Sequence, residues 1–432
     1  MKTIAKHILR LRHACLRALP LLLFPLGACV AEEGECPVDT HEDDIAVSLV
    51  IKGNLPAAGS RAALSDLDGT LAESYININD LYILAFEIDP TKGVADGESK
   101  LKDIIWSPQQ AERLPESSIS SNGTVVLLRT FLSSEKYKED ETFALVAVSN
   151  ISNWGGESYT LSTEKDKETT LADLQKTLTY PIVMDSRWVP DNAKSDGIPL
   201  FGIKRCSLSG YNPQYNNSAN PYNLGTTWLL RTLAKIELFT AADSKLEIAS
   251  AQVVAQGWNN NVQLIPFMKP TGSTTLILNR MEGYNTDGSD TYGSTSQVNL
   301  SPDFTTSGFT PTASSYTLNF SKATVKKEDG TTAEGFVAYL PEYQLASTDG
   351  TPRNQIVKIS FEGKTQEYTL TVAPYDNYSQ SDTNPTDIYW QYLLRNYLYR
   401  FQIQGIQEDA TLSLKYTVCP MQKYTTDIPD FN

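Results

Sequence analysis

Histidine is almost missing from this 432-residue chain: only His7, His13 and His41 occur, all near its start. Beyond residue 41 there is no imidazole, which removes Ser-His-Asp and Cys-His nucleophile activation, the usual general base, and nearly all catalytic zinc and iron sites. Basic residues are outnumbered, 36 against 51 acidic, for a formal net charge of −15. That sign repels polyphosphates and anionic surfaces, so no nucleic acid is expected among the partners. Cysteine is scarce: Cys15, Cys29, Cys36, Cys206 and Cys419 show no C-x-x-C spacing, so neither a zinc site nor a disulfide framework is expected. Glycine loops that cradle phosphate are absent. Asn285-Thr286-Asp287-Gly288-Ser289-Asp290 lacks the full ligand pattern of a calcium loop and reads as a hairpin turn. Carboxylate chemistry of the glycosidase type survives these exclusions, but no Asp/Glu pair is singled out. The expectation is a protein that is not an enzyme and uses no cofactor and no metal.

Long apolar runs are lacking too, with one exception. Lys2, Lys6, Arg10, Arg12 and Arg17 form a basic start without acids, followed by an apolar stretch over residues 18–26. Residues 1–28 therefore read as a secretory signal, too short for a membrane-spanning helix. The stretch ends Leu26-Gly27-Ala28-Cys29, the small-residue approach to a cysteine that a lipoprotein signal peptidase requires. Lipidation of Cys29 is the expected consequence. Residues 29–43 are acidic, poor in large apolar side chains and without periodicity, as in a flexible tether.

What remains is strand after strand. Ile45, Val47, Leu49 and Ile51 alternate with Ala46, Ser48, Val50 and Lys52, mostly the period-two pattern of a strand with one buried face. Extended runs recur at residues 80–86, 124–131, 142–148, 234–239, 249–254, 274–278, 316–320, 335–340, 356–361 and 367–372. Turn formers separate them; Glu362-Gly363-Lys364 joins two alternating runs as a hairpin. Helical pattern is confined to a turn or two near residues 171–176. Short strands between turns predict an all-β chain of β-sandwich domains. The Pro-, Gly-, Asn- and Tyr-rich region 186–227 reads as a seam, giving one domain over 44–225 and another over 226–432. The tyrosine-rich stretch 211–222 is expected to pack in that seam.

The two ends of this body carry the functional pattern. The first strand, residues 44–52, is followed by small and turn-forming residues at 53–63 around Arg61, an expected exposed loop open to an arginine-specific protease that would cut between Arg61 and Ala62. At the other end, within residues 410–432, Ala410, Leu412, Leu414, Tyr416 and Val418 alternate with polar neighbours, and Met421, Tyr424, Ile428 and Phe431 follow. Both ends can be ordinary strands pairing in their own molecule. The functional alternative is that cleavage releases the first strand, with its inward Ile45, Val47, Leu49 and Ile51, and that another subunit's tail fills the groove.

Several segments, taken in order, resemble the FimA-type fimbrillins, the polymerising subunits of Bacteroidales fimbriae. They are the lipobox at Cys29, the strand-loop-arginine element ending at Arg61, residues 180–184 (YPIVM) and 198–202 (IPLFG), 230–236 (LRTLAKI), 337–342 (VAYLPE), and most specifically 394–400 (LRNYLYR) and 412–420 (LSLKYTVCP). Acidic Glu32, Glu33 and Glu35 resemble the export tag of Bacteroidales surface lipoproteins. Met421 departs from the tryptophan that polymerising members commonly carry there. The resemblance implies two transthyretin-like β-sandwich domains in tandem, anchoring in the outer membrane through lipid on Cys29, cleavage at Arg61-Ala62 and donor-strand assembly with other fimbrial subunits. Arg395, Asn396 and Tyr399 are expected to brace a strand and its preceding loop. The alternative is a monomeric surface adhesin or glycan-binding lipoprotein with a host or bacterial surface ligand.

Overall fold

Period-two alternation with one apolar face commits most of this sequence to strands, as expected for a half-buried pleated surface. A computed structural model describes residues 44–53, 71–91, 95, 97–108, 118–151, 169–171, 173–174, 179–181, 197–255, 261–263, 316–327, 331–341, 343–344, 355–372, 392–393 and 397–420. Cys29, Arg61, Ala62, Met421, Ile428 and Phe431, the expected strand at 274–278 and the turn at 285–290 lie outside the described residues.

In the first half of the chain the strands are β1 (Ile45–Lys52), β2 (Leu81–Glu87), β3 (Leu101–Trp106), β4 (Ser118–Ser121), β5 (Val125–Leu132), β6 (Thr142–Ser149), β7 (Thr179–Pro181), β8 (Leu200–Ser207), β9 (Tyr222–Trp228) and β10 (Leu230–Arg231). A one-turn helix α1 (Leu71–Ser74) lies between β1 and β2. There follow β11 (Leu233–Thr240), β12 (Ile248–Ala255), β13 (Asn261–Gln263), β14 (Tyr316–Asn319), β15 (Ser321–Lys326), β16 (Thr332–Pro341), β17 (Tyr343–Gln344), β18 (Gln355–Phe361), β19 (Glu367–Thr371), β20 (Tyr392–Leu393), β21 (Tyr397–Ile406) and β22 (Leu412–Pro420). The fold is all-β.

Two sheets, ordered β4-β5-β1-β9 and β10-β8-β6-β2-β3, face each other across a core that includes Leu49, Ile51, Leu128, Ile83, Phe143 and Leu145. Two more, β15-β16-β11-β21-β22 and β14-β12-β18-β19, enclose Ile236, Leu238, Phe401, Val253, Val357 and Ile359. Each pair is a β-sandwich. The second sheet is covered on its far face as well: Tyr82, Leu84, Phe86, Val146 and Val148 join the same apolar cluster as the second core. Burial on both faces explains why β2 and β6 read as unbroken apolar runs instead of alternating ones. The hairpin expected at Glu362-Gly363-Lys364 joins antiparallel β18 and β19, with Gly363 at φ 68°.

Region 186–227, expected to be a seam, holds β8 and β9. In β8 the charges of Lys204 and Arg205 and the bare Gly202 interrupt the pattern; Lys204 is nevertheless buried, donating to the Leu224 carbonyl at 2.6 Å. Strand β9, YNLGTTW, owes its extension to parallel pairing with β1 rather than to its own apolar content. The boundary expected at Gly225 falls inside β9, and the chain passes between sandwiches at Thr232, between β10 and β11. Gly225 has φ 83°, and a Cβ there would collide with the Lys204 amine. The tyrosine-rich stretch does not pack in a seam. Tyr211 and Tyr222 meet edge to face at 6.2 Å against the first core, and Tyr215 is 68% exposed.

Cys206 on β8 is buried and free, and burial pushes its thiol up to about 11. A thiolate is the reactive species. Native protein at about pH 8 is therefore expected to leave this cysteine unmodified by an aromatic disulfide reagent, with labelling appearing in denaturant. Mass spectrometry of the Cys206 peptide reads the outcome.

Candidate functional site

The first strand occupies the inside of its sheet. β1 runs antiparallel to β5, with Ile45 opposite Leu132 and Lys52 opposite Val125, and parallel to β9, with a register shift between Ser48 and Val50. Its odd-numbered side chains point into the first core: Ile45, Val47, Leu49 and Ile51 are each at most 3% exposed. Ser134 N donates to Asp44 Oδ1 at 3.0 Å at one end. At the other, Leu229 N donates to the Lys52 carbonyl at 2.8 Å, and the Lys52 ammonium lies 5.1 Å from the Trp228 ring centroid. Without β1, β5 and β9 would face each other across a slot one strand wide, each with an unpaired edge of amides and carbonyls above an apolar floor.

The closing strand is held differently. Among the described residues β22 is the edge strand of its sheet and pairs with β21 alone, antiparallel, with Ile406 opposite Leu412 and Tyr399 opposite Val418. Leu412, Leu414 and Tyr416 are partly buried against the second core, and Tyr416 stacks on Phe401 at 4.5 Å. Burial raises the Tyr416 phenol above its ordinary pKa. Ala410 is exposed in the preceding turn with φ 64°. Among the described residues both ends thus pair within their own molecule, β1 with two neighbours and β22 with one.

A third group of residues gave no sequence signal as a unit. On β11, Leu233, Lys235, Glu237 and Phe239 share one face, and that face is covered. Lys235 Nζ lies 2.7 Å from Glu73 Oε1 of α1 and 2.7 Å from Glu237 Oε1. Tyr339 of β16 donates to Glu73 Oε1 at 2.5 Å. Arg231 Nε donates to the Glu73 carbonyl at 2.5 Å, and its Nη2 to Ser74 Oγ at 2.7 Å. Parallel pairing sets Arg400 of β21 opposite Glu237, which it binds through Nη2 at 2.6 Å and Nε at 3.0 Å. Burial alone would raise the Glu73 carboxyl, but the Lys235 and Arg231 charges prevail and hold it below its ordinary pKa. Burial likewise opposes the Lys235 charge, and Glu73, Tyr339 and Glu237 together outweigh it, keeping the amine well above its usual value. Of the LRNYLYR segment, Arg395 and Asn396 lie outside the described residues; Tyr399 is buried, and Arg400 carries the ion pair. The available signal was a pair of charges spaced two apart inside the apolar run AKIELF.

Comparison with known proteins adds little to this geometry. No family model and no curated protein matches the chain. Among solved structures it is similar to the tip fimbrial protein Mfa3 from Porphyromonas gingivalis with C-terminal truncation, at 11% identity and a TM-score of 0.47, covering 87% of this chain and 99% of that one. A fimbrial assembly protein from Parabacteroides distasonis is similar at 12% identity and a TM-score of 0.39, with 87% and 99% covered. Both scores are below 0.5, so the all-β assignment rests on the strands and ladders described above.

Proposed function

We propose that this chain is a structural subunit of a cell-surface fimbria, exported as a lipoprotein through Cys29, cut after Arg61 and polymerised by donor-strand exchange. The observation that carries the reading is the setting of β1, an interior strand with two ladders and four inward apolar side chains. Its sequence link to the rest of the body runs through residues 54–70, which include Arg61. A body deprived of β1 exposes a slot that only another strand can fill, since main-chain groups and apolar pockets must be satisfied together. The closing strand of a second copy supplies one of matching pattern. Edge position and partial burial give β22 less to lose by leaving its own sheet than an interior strand would lose. Other fimbrial subunits are the partners in this reading, and the bacterial surface is the location.

Treatment with a trypsin-like protease is expected to cut after Arg61 and yield multimers that survive detergent without boiling. Arg61→Ala is expected to stay monomeric under the same treatment. Chains lacking residues 421–432 or 410–432 are expected to be cut but not to polymerise, with circular dichroism verifying their fold. Monomer alone after complete cleavage of the intact chain refutes the proposal. The second reading, a monomeric surface adhesin or glycan-binding protein, draws on one observation, the exposed ring of Tyr215. It predicts a glycan-array signal lost in Tyr215→Ala, with no multimers.

A further inference from the structure

The end of the β1 slot is closed by backbone. Just past Lys52, Gly53 N donates to the Thr124 carbonyl at 2.9 Å, and Ile76 N donates to the neighbouring Gly123 carbonyl at 2.7 Å. The two segments therefore lie side by side on one turn. A Cβ at Gly53 would collide with the Ser74 carbonyl oxygen and stand 3.2 Å from the Ser74 carbonyl carbon and 3.3 Å from Ile76 Cγ1. Glycine is needed there for space, since the obstacle is main chain and not a side chain that could turn aside.

Nor is that main chain free to retreat. Ser74 is fully buried at the end of α1, and Arg231 holds both the Glu73 carbonyl and the Ser74 hydroxyl. The Glu73 carboxylate is in turn fixed by Lys235 and Tyr339 from the second sandwich. A four-residue helix has little stability of its own, so these contacts determine where it sits.

We infer that the Glu73, Lys235, Tyr339 and Arg231 cluster makes the Ser74 carbonyl a fixed stop at the end of the slot. The slot then accepts an extended apolar peptide only if that peptide ends, carries glycine or turns aside at the position of Gly53. The stop sets the register of any strand filling the slot: sliding one past it forces a side chain into backbone. Glu73 and Tyr339 act as positioning residues, through Ser74, without touching the occupant. This inference rests on the strand-exchange reading for its biological use.

Three synthetic peptides test it on protease-treated full chain: residues 44–53, residues 44–52, and residues 44–53 with Gly53→Ala. The first two are expected to bind alike and the third about tenfold more weakly, equivalent to about 1.4 kcal/mol. In a Glu73→Gln or Tyr339→Phe background, the difference is expected to shrink to about twofold as the stop loosens. Equal binding of all three peptides to the unsubstituted chain overturns the stop. The uncut chain supplies a readout independent of exchange. Gly53→Ala is expected to lower its melting temperature, and to lower it less in the Tyr339→Phe background. Equal drops in both backgrounds overturn the stop. Failure of the treated chain to take up any peptide counts against strand exchange instead, and the uncut chain still decides the stop.

Discussion

Val47→Asp is expected to unfold the first sandwich, whereas Ser48→Asp, one residue along the same strand, is expected to cost about 1 kcal/mol or less. Val47 is 1% exposed in the first core, while Ser48 sits on the other face and is only partly buried. Removing the buried valine forfeits about 1.5–3 kcal/mol of apolar burial. An unpaired carboxylate in its place adds several kcal/mol of desolvation or an equivalent shift in protonation. That total rivals the whole stability of an ordinary domain, about 5–15 kcal/mol. Urea unfolding followed by circular dichroism checks it: the Val47→Asp chain should lose a transition that the Ser48→Asp chain retains. Equal losses would mean that β1 is not fixed in the described register, since a slip of one residue exchanges its two faces.

Arg400→Ala is expected to destabilise the second sandwich by about 3–5 kcal/mol, the usual consequence of removing one partner from a buried pair. The pair is well enclosed, with Arg400 and Glu237 side chains 4% and 5% exposed. Arg400 also lies 5.4 Å from the Phe239 ring centroid, so the truncation loses packing as well as charge. Arg400→Met with Glu237→Leu is expected to recover much of the loss, because neither charge is then left alone. A double-mutant cycle by denaturant melts measures the coupling.

The same network gives stability a pH dependence of defined sign. Glu73 is held below its ordinary value, so its contribution is complete above about pH 4.5 and is lost as pH falls through the lower folded value. Lys235 is held above its ordinary value, so its contribution is complete below about pH 10 and is lost only as pH rises through the higher folded value. Between those limits the cluster's contribution is flat.

How far this was legible in the sequence depended on which face of each strand is covered. Strands β1, β12, β18 and β19 alternate or nearly so, and β2 and β6 are apolar throughout; both patterns point to strands. Strand β9 could not be recognised, because its neighbour β1 is almost two hundred residues away and supplies the ladder that its own Asn, Gly and Thr residues do not advertise. The buried ions were unreadable for a related reason. Lys235 and Glu237 look like an exposed strand face until Glu73, more than 150 residues earlier, is folded over them.

One geometric detail of β1 governs what a joint through its slot can build. Because the strand runs parallel to β9 and antiparallel to β5, with the irregular step between Ser48 and Val50 on the β9 side, an occupant has one heading that restores both ladders. A chain inserted backwards would exchange the two hydrogen-bond geometries and turn that step toward the wrong neighbour. Subunits linked by the proposed exchange would share a single heading, as head-to-tail contacts that do not close into rings require. A fibre built by the proposed exchange would be directional, with one extremity offering an empty cleft and the opposite one an unspent tail.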